Sequence, residues 1–261
     1  SRPDTSTLDP ELVEAALSRR TRDIVAVHLY GQMAELDPLM ALADQHGLSL
    51  IEDCAQAHGA TSQGRMAGSI GHVAAFSFYP TKNLGAAGDG GLVASRSSFN
   101  IERVRLLRQY GWRERYISEL AGMNSRLDEL QAALLRVKLR RLEAWNRQRQ
   151  ALAARYDELL AGASVTTPAA APGNQHVYHL YVVRSQQRDA LRAHLAQHGI
   201  QTAIHYPVPI HRQPAYEHLA PSRGLPVTER IANEILSLPL YPQMSLDDVA
   251  QVAHYIQQFD R

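Results

Sequence analysis

Short β-branched runs separated by helix signals restrict this chain most. Strands joined by helices or compact loops can lie parallel, and a parallel sheet has to bury its faces. DIVAVHLYG (23–31) is the first run, closed by glycine. Asp37 follows as the expected N-cap, with Pro38 at the first helical position, then Leu39, Met40, Leu42 and Ala43, and Gly47 as the stop. LSLIEDC (48–54), HVAAFSFY (72–79) and GGLVAS (90–95) are expected as the next strands. The fold class this predicts is α/β, a mostly parallel sheet sandwiched by helices.

From about residue 125 the apolar period becomes helical. Ser125 and Asp128 have the spacing of a capping box, and Leu127, Leu130, Leu134 and Val137 recur at helical intervals. The Ala/Leu/Arg-rich segment continues to about 160, longer than an ordinary globular helix, so a kink or break is expected within it. VTTPAAAPGNQ (165–175) reads as a linker-like stretch. A smaller α/β unit is expected beyond it: a strand over 179–185, a helix over 186–198 and a strand over 200–207. A helix from Thr228 and a last one opened by Ser245 and Asp248 complete it. No internal repeat is visible. The expected division is a large domain over 1–145, then the long connecting helix and a small C-terminal α/β domain over 146–261.

The bulk numbers exclude several classes. Lys and Arg total 27 against 26 Asp and Glu, which gives no reason to expect nucleic acid or an anionic membrane as a partner. The basic stretch over 136–149 is expected to be a solvated helix face. Cys54 is the one cysteine of 261 residues, so no intrachain disulfide can form. No apolar run approaches membrane-spanning length, and SRPDTSTLDPEL at the start has no apolar signal region. The expectation is a cytoplasmic globular chain with no nucleic-acid or membrane partner.

In open α/β sheets, ligands bind beyond the carboxyl ends of the strands. Two clusters fall there. IEDCAQAH brings Asp53, Gln56 and His58, and FSFYPTKNLGAAGDGG brings Ser77 and Lys82 ahead of a run of glycines. Taken singly, such an aspartate also serves as a turn cap, and such a serine also bonds local backbone. The glycine spacing fits neither a phosphate-binding Gly-Lys-Ser/Thr loop nor a dinucleotide fingerprint. Together the residues say more. A Schiff-base lysine must be partly desolvated to present a neutral amine. Pyridoxal 5′-phosphate needs such a lysine, a carboxylate paired with its pyridinium nitrogen, and donors for its phosphate. Lys82, Asp53 and Ser77 meet those needs at one sheet edge. The glycines after Lys82 are expected to let the backbone pass close to the ring. HYPVPIH (205–211) has no metal-site spacing, and no carboxylate or cysteine joins its histidines in sequence, so no metal is expected.

EDCAQAHGA, FSFYPTKNLGAAGDGG, GMNSRLDELQAALL and HYPVPIHRQPAY with LPLYP, in this order, resemble the DegT/StrS family of nucleotide-sugar aminotransferases across almost the entire chain. The resemblance implies the pyridoxal-phosphate-dependent transferase architecture of fold type I. It further implies that Lys82 holds the cofactor and moves the proton, Asp53 pairs with the pyridinium nitrogen, Gln56 lies near the ring hydroxyl and Ser77 binds the phosphate. Asn124 would reach the cofactor phosphate of the other subunit of a homodimer. Arg126 would act at the sugar nucleotide or the phosphate, and His205, Tyr206 and His211 would line the sugar-nucleotide side. Members carry a further segment ahead of the equivalent of SRPDTSTLDP, so the large domain is expected to be incomplete at its N-terminus. The implied reaction is amino transfer from L-glutamate to a dTDP- or UDP-linked keto sugar. KNLGAAGDGG is more similar to the loop of enzymes that aminate C3 than to that of C4 enzymes. The alternatives are a C4 aminotransferase or a truncated non-catalytic homologue. A dehydratase of the family would carry histidine in place of Lys82.

Overall fold

The computed structural model describes residues 1–221 and 223–260. It divides into two compact units, one of Thr7–Trp145 with Gly173–His176, the other of Ser1–Ser6, Asn146–Pro172 and Val177 onward. In the larger unit, strands β1 (Asp23–Val27), β2 (Ser49–Asp53), β3 (Val73–Ser77) and β4 (Gly91–Ala94) form one sheet in that order. The first three run parallel and β4 is antiparallel to β3. Helix α1 (Leu36–His46) makes the crossover between β1 and β2 and packs on both. It starts one residue before Asp37 because Leu36 is buried, and Asp37 sits in the first turn, where its charge favours the helix dipole. Gly47 ends it at φ 61°, a left-handed stop that returns its N–H to Ala43 and Asp44.

Alternation along the strands gives the sheet two unlike faces. Ile24, Ala26, Leu50, Glu52 and Ala74 point into the buried side. Val25, Val27, Ala75 and Val93 lie on the other, exposed side, and the register puts Asp53 and Ser77 on that side, at its carboxyl edge. Helix α2 (Ser98–Leu107) follows β4, capped by the Ser97 hydroxyl.

Helix α3 (Glu129–Leu159) runs 31 residues without the expected break. It contains no proline or glycine, and its Ala, Leu, Arg, Gln and Glu residues all favour helix. It opens later than Ser125 because the Ser125 N–H is bonded to the Arg108 carbonyl, and the Asp128 carbonyl accepts the first helical bond from Ala132. Its basic stretch is not wholly a solvated face. Arg149 is buried and donates to the Tyr178 and Leu240 carbonyls at 3.0 Å each. No helix among the described residues is long and apolar enough to cross a membrane.

The smaller unit pairs β5 (Tyr181–Arg184) antiparallel with β6 (Ile235–Leu238), covered by α4 (Arg188–Gln197), α5 (Pro226–Glu234) and α6 (Leu246–Phe259). Tyr156 of α3 stacks on Tyr181 at 4.7 Å, in a core with Leu191, Leu195, Leu236 and Ile256. Two expectations change here. Residues 200–207 form no strand: only Ala203 bridges, to Ser237. The run ends in Pro207 with Pro209 beyond, and proline offers no ladder N–H. Helix α5 starts at Pro226 rather than Thr228, since proline presets φ at a first helical position. Ser245 and Asp248 form the expected capping box. Ser245→Ala should lower stability in a urea titration by about 1 kcal/mol, and Ser245→Thr should recover most of it.

Candidate active site

The site begins where β3 ends. The Ser77 hydroxyl accepts the Tyr79 N–H at 3.2 Å, and the Tyr79 carbonyl accepts the Lys82 N–H at 2.9 Å. This turn leaves the Lys82 side chain half-buried. Desolvation lowers its amine below the ordinary lysine range, while the Asp53 carboxylate pulls the other way. His58 lies buried under the same turn, its ring 5.6 Å from that of Phe76 and 6.1 Å from that of Phe78. Burial drives its imidazole down to about 4; a hydrogen bond with the Ser77 backbone opposes this, and the Lys82 charge adds to it. His58 is therefore neutral at physiological pH. Asp53, Ser77 and Lys82 come together at one sheet edge, with His58 beneath.

Below Asp53 lies a pair that the sequence reading missed. Glu52 is fully buried and accepts four hydrogen bonds: from His28 Nε2 at 2.9 Å, Gly68 N at 2.8 Å, Ile70 N at 2.8 Å and Gly71 N at 2.6 Å. Burial pushes this carboxyl upward, but His28 and the three N–H groups outweigh it and hold it below the ordinary value. His28 Nδ1 accepts the Ala34 N–H at 3.1 Å, so the ring is neutral and carries its proton on Nε2, facing Glu52. Strand parity was the available signal, since Glu52 occupies an inward slot between Leu50 and Cys54. Cys54 is buried, and burial with the nearby Glu52 and Asp53 charges pushes its thiol up, so it stays protonated. His28, Glu52 and Cys54 are close enough to be considered for a metal. Both ring nitrogens and both carboxylate oxygens are already engaged, so the cluster is a structural lock.

Gln56 is buried, and its Oε1 accepts the Tyr30 N–H at 2.6 Å, where Tyr30 turns at φ 60°. Two of the glycines after Lys82 are required by the chain's own packing. A Cβ on Gly85 would stand 2.4 Å from the Pro80 carbonyl oxygen, and one on Gly90 would stand 2.8 Å from Leu127. They are needed because the loop packs against its own chain. Asn124 and Arg126 occupy an exposed loop stitched to residues 107–110. Asn124 Oδ1 accepts from Arg126 Nε at 2.9 Å, and the guanidinium sits 5.9 Å over the Tyr110 ring.

In the smaller unit, His205 Nδ1 is 2.8 Å from the Ser237 hydroxyl and Tyr206 is exposed. His211 is buried, with Nε2 2.8 Å from Glu229 Oε1. A carboxylate thus does join this histidine, supplied by α5 rather than by the local sequence. The His211 hydrogen bond, then Arg212 and the Leu225 N–H, bring the Glu229 carboxyl down to about 2.

The model of the DegT/DnrJ/EryC1/StrS aminotransferase family matches residues 1–257. The chain belongs to this family. It is 50% identical over 258 residues to the dTDP-3-amino-3,4,6-trideoxy-alpha-D-glucose transaminase of Streptomyces venezuelae, covering 98% of this chain and 68% of the relative. It is 43% identical to the UDP-N-acetyl-3-dehydro-alpha-D-glucosamine 3-aminotransferase of Acidithiobacillus ferrooxidans, over 94% of this chain and 66% of the relative. The structure of S. venezuelae DesV in complex with a ketimine intermediate superposes with a TM-score of 0.96 at 49% identity, covering all of this chain and 71% of that one. The chain thus spans about two-thirds of the length of these relatives. Aminotransferases of the DegT family use pyridoxal phosphate. The donor set here fits that group: a partly desolvated amine, a carboxylate within electrostatic reach of it, and a hydroxyl at the same edge.

His58 and Glu52 both resist protonation in the folded chain, so each contributes stability at high pH that is lost on acidification. For His58 the loss runs from its ordinary 6.5 down to about 4. For Glu52 it begins near the ordinary 4.5 and continues below it. Urea midpoints measured across pH should fall steadily below 6.5. His58→Gln should make the part above 4.5 shallower, the remainder coming from His176, whose imidazole burial also drives down to about 3, and Glu52→Gln should change only the part below 4.5.

Proposed function

We propose that this protein transfers an amino group from L-glutamate to the C3 keto group of a dTDP- or UDP-linked deoxysugar, in the amino-sugar biosynthesis of an antibiotic or a cell-surface polysaccharide. The observation that carries the reading is the half-buried Lys82 amine beside the Asp53 carboxylate, at the carboxyl edge of the parallel strands, in a DegT-family chain. Preference for C3 is supported by the names of the two relatives, each an enzyme of a 3-amino or 3-keto sugar, and by the KNLGAAGDGG loop. One relative acts on a dTDP sugar and the other on a UDP sugar, so the nucleotide is left as either.

Bound pyridoxal phosphate supplies the electron sink and carries the amino group between the two half-reactions. Lys82 holds the group and then acts as the proton carrier. Its lowered amine would hold and move the proton of the 1,3 shift, from the carbon on one side of the transferred nitrogen to the carbon on the other. The Asp53 carboxylate keeps the pyridine nitrogen protonated. Ser77 would donate its hydroxyl to the phosphate, and Gln56 is assigned to the ring hydroxyl. We assign Asn124 to the phosphate of the opposite subunit in a homodimer, and Arg126 to the sugar nucleotide or the phosphate. His205, Tyr206 and His211 are assigned to the sugar nucleotide. The compartment we propose is the cytoplasm, in keeping with a single, buried cysteine.

The protein mixed with pyridoxal phosphate should develop a visible absorption band that Lys82→Ala abolishes, along with activity. Asp53→Asn should keep the band but reduce turnover by about 10²–10⁴-fold. Absence of the band in the wild type would overturn the reading. For the position of transfer, NMR of the product should place the new amine at C3; an amine only at C4 would refute that choice.

A further inference from the structure

The chain contains only two lysines, Lys82 and Lys138, among its 27 basic residues. The second holds the loop that follows the first. Lys138 Nζ on α3 donates to the Gly85 carbonyl. Two turns earlier on the same helix, Gln131 Oε1 accepts the Ala87 N–H at 2.8 Å. Leu135 lies between them in sequence and packs with Phe78, Leu84 and Ala86 in a buried cluster. Residues 131, 135 and 138 follow helical spacing, so one stripe of α3 faces the loop with a polar group at either end. The loop passes the contact on. A Cβ on Gly85 would lie 2.4 Å from the Pro80 carbonyl oxygen and 2.8 Å from that of Tyr79. The Tyr79 carbonyl also accepts the Lys82 N–H. Close packing therefore runs unbroken from α3, through Gly85, to the backbone of Lys82.

We propose that Gln131 and Lys138 are positioning residues for Lys82, holding the glycine loop against the turn that carries it and so setting how far its amine is withdrawn from water. The inference rests on the reading of Lys82 as the cofactor lysine. A loop this rich in glycine has wide conformational freedom unless tied, and these two side chains tie it at neighbouring points. With the ties cut, water reaches the amine and its titration moves back toward the ordinary lysine range. Asp53 and His58 are the charged or titratable groups that act on Lys82 from the adjoining elements, and neither is altered by the change.

The test is competitive acetylation of the cofactor-free protein across pH, with the Lys82 and Lys138 peptides read separately by mass spectrometry. Gln131→Ala changes no charge, and it should raise the pH at which Lys82 becomes reactive by about one unit. The same variant should slow borohydride trapping of pyridoxal phosphate on Lys82. Lys138→Met should act in the same direction, and Lys138→Arg, which keeps both charge and donor, should restore the wild-type profile. Ser245→Ala, a destabilising change in the other unit, should leave the Lys82 profile unmoved. If Gln131→Ala does not fold by circular dichroism, Gln131→Met replaces it at similar volume. A folded Gln131 variant with a wild-type Lys82 profile overturns the proposal. Trapping of the cofactor on Lys138 instead of Lys82 would overturn the reading beneath it, an outcome visible in the wild type alone.

Discussion

The Glu52 carboxylate, buried beneath the sheet, fixes the end of β2, and the candidate site depends on that end. Its oxygens take hydrogen bonds from His28 and from three backbone donors within 68–71. An isolated carboxylate in this position would be strongly unfavourable, and only this full set of donors offsets its desolvation. Since neighbouring residues of a strand face opposite sides, holding Glu52 below holds Asp53 above. His28 extends the lock to the β1 side through the Ala34 N–H, and the 68–71 segment leads directly into β3. One buried charge thus ties the carboxyl ends of β1 and β2 to the segment that enters β3.

The other side of the site is governed by the loop after β3. Its glycines carry the chain past its own carbonyls at separations no side chain would allow, and α3 reaches in to hold it. Lys82 is thereby held half out of water, where desolvation lowers its amine and the Asp53 carboxylate limits how far. The balance between the two matters. Full burial without a carboxylate would leave the lysine permanently neutral, and full exposure would leave it charged.

Much of this was legible in advance. β-Branched runs located the four strands of the large sheet, and the Ser245 and Asp248 pair located the last helix, because both signals are local. Local signals failed where longer-range packing decided. The buried Leu36 moved the start of α1, the Arg108 carbonyl took the N–H of Ser125, and Pro207 reduced an expected strand to one bridge at Ala203. The long helix was expected to break from its length alone, although it lacks the residues that break helices. At the site, the residue types and strand-end positions of Asp53, Ser77 and Lys82 were readable. Glu52 was overlooked because an acidic residue at a strand end invites a surface reading, and the partner of His211 because Glu229 comes from a later helix.

The sequence by itself determined the family, the α/β class and the candidate residues for a cofactor, since each of these is written in short ordered motifs and in the period of apolar residues. The tertiary structure decided which carboxylate is buried among donors and which lies at the carboxyl edge of the sheet, and which glycines the chain's own packing requires. It also brought Gln131 and Lys138 against a loop far from them in the chain. Those are questions of which donors and carbonyls meet across the fold, and hydrogen bonds between distant segments leave no periodic trace in a sequence.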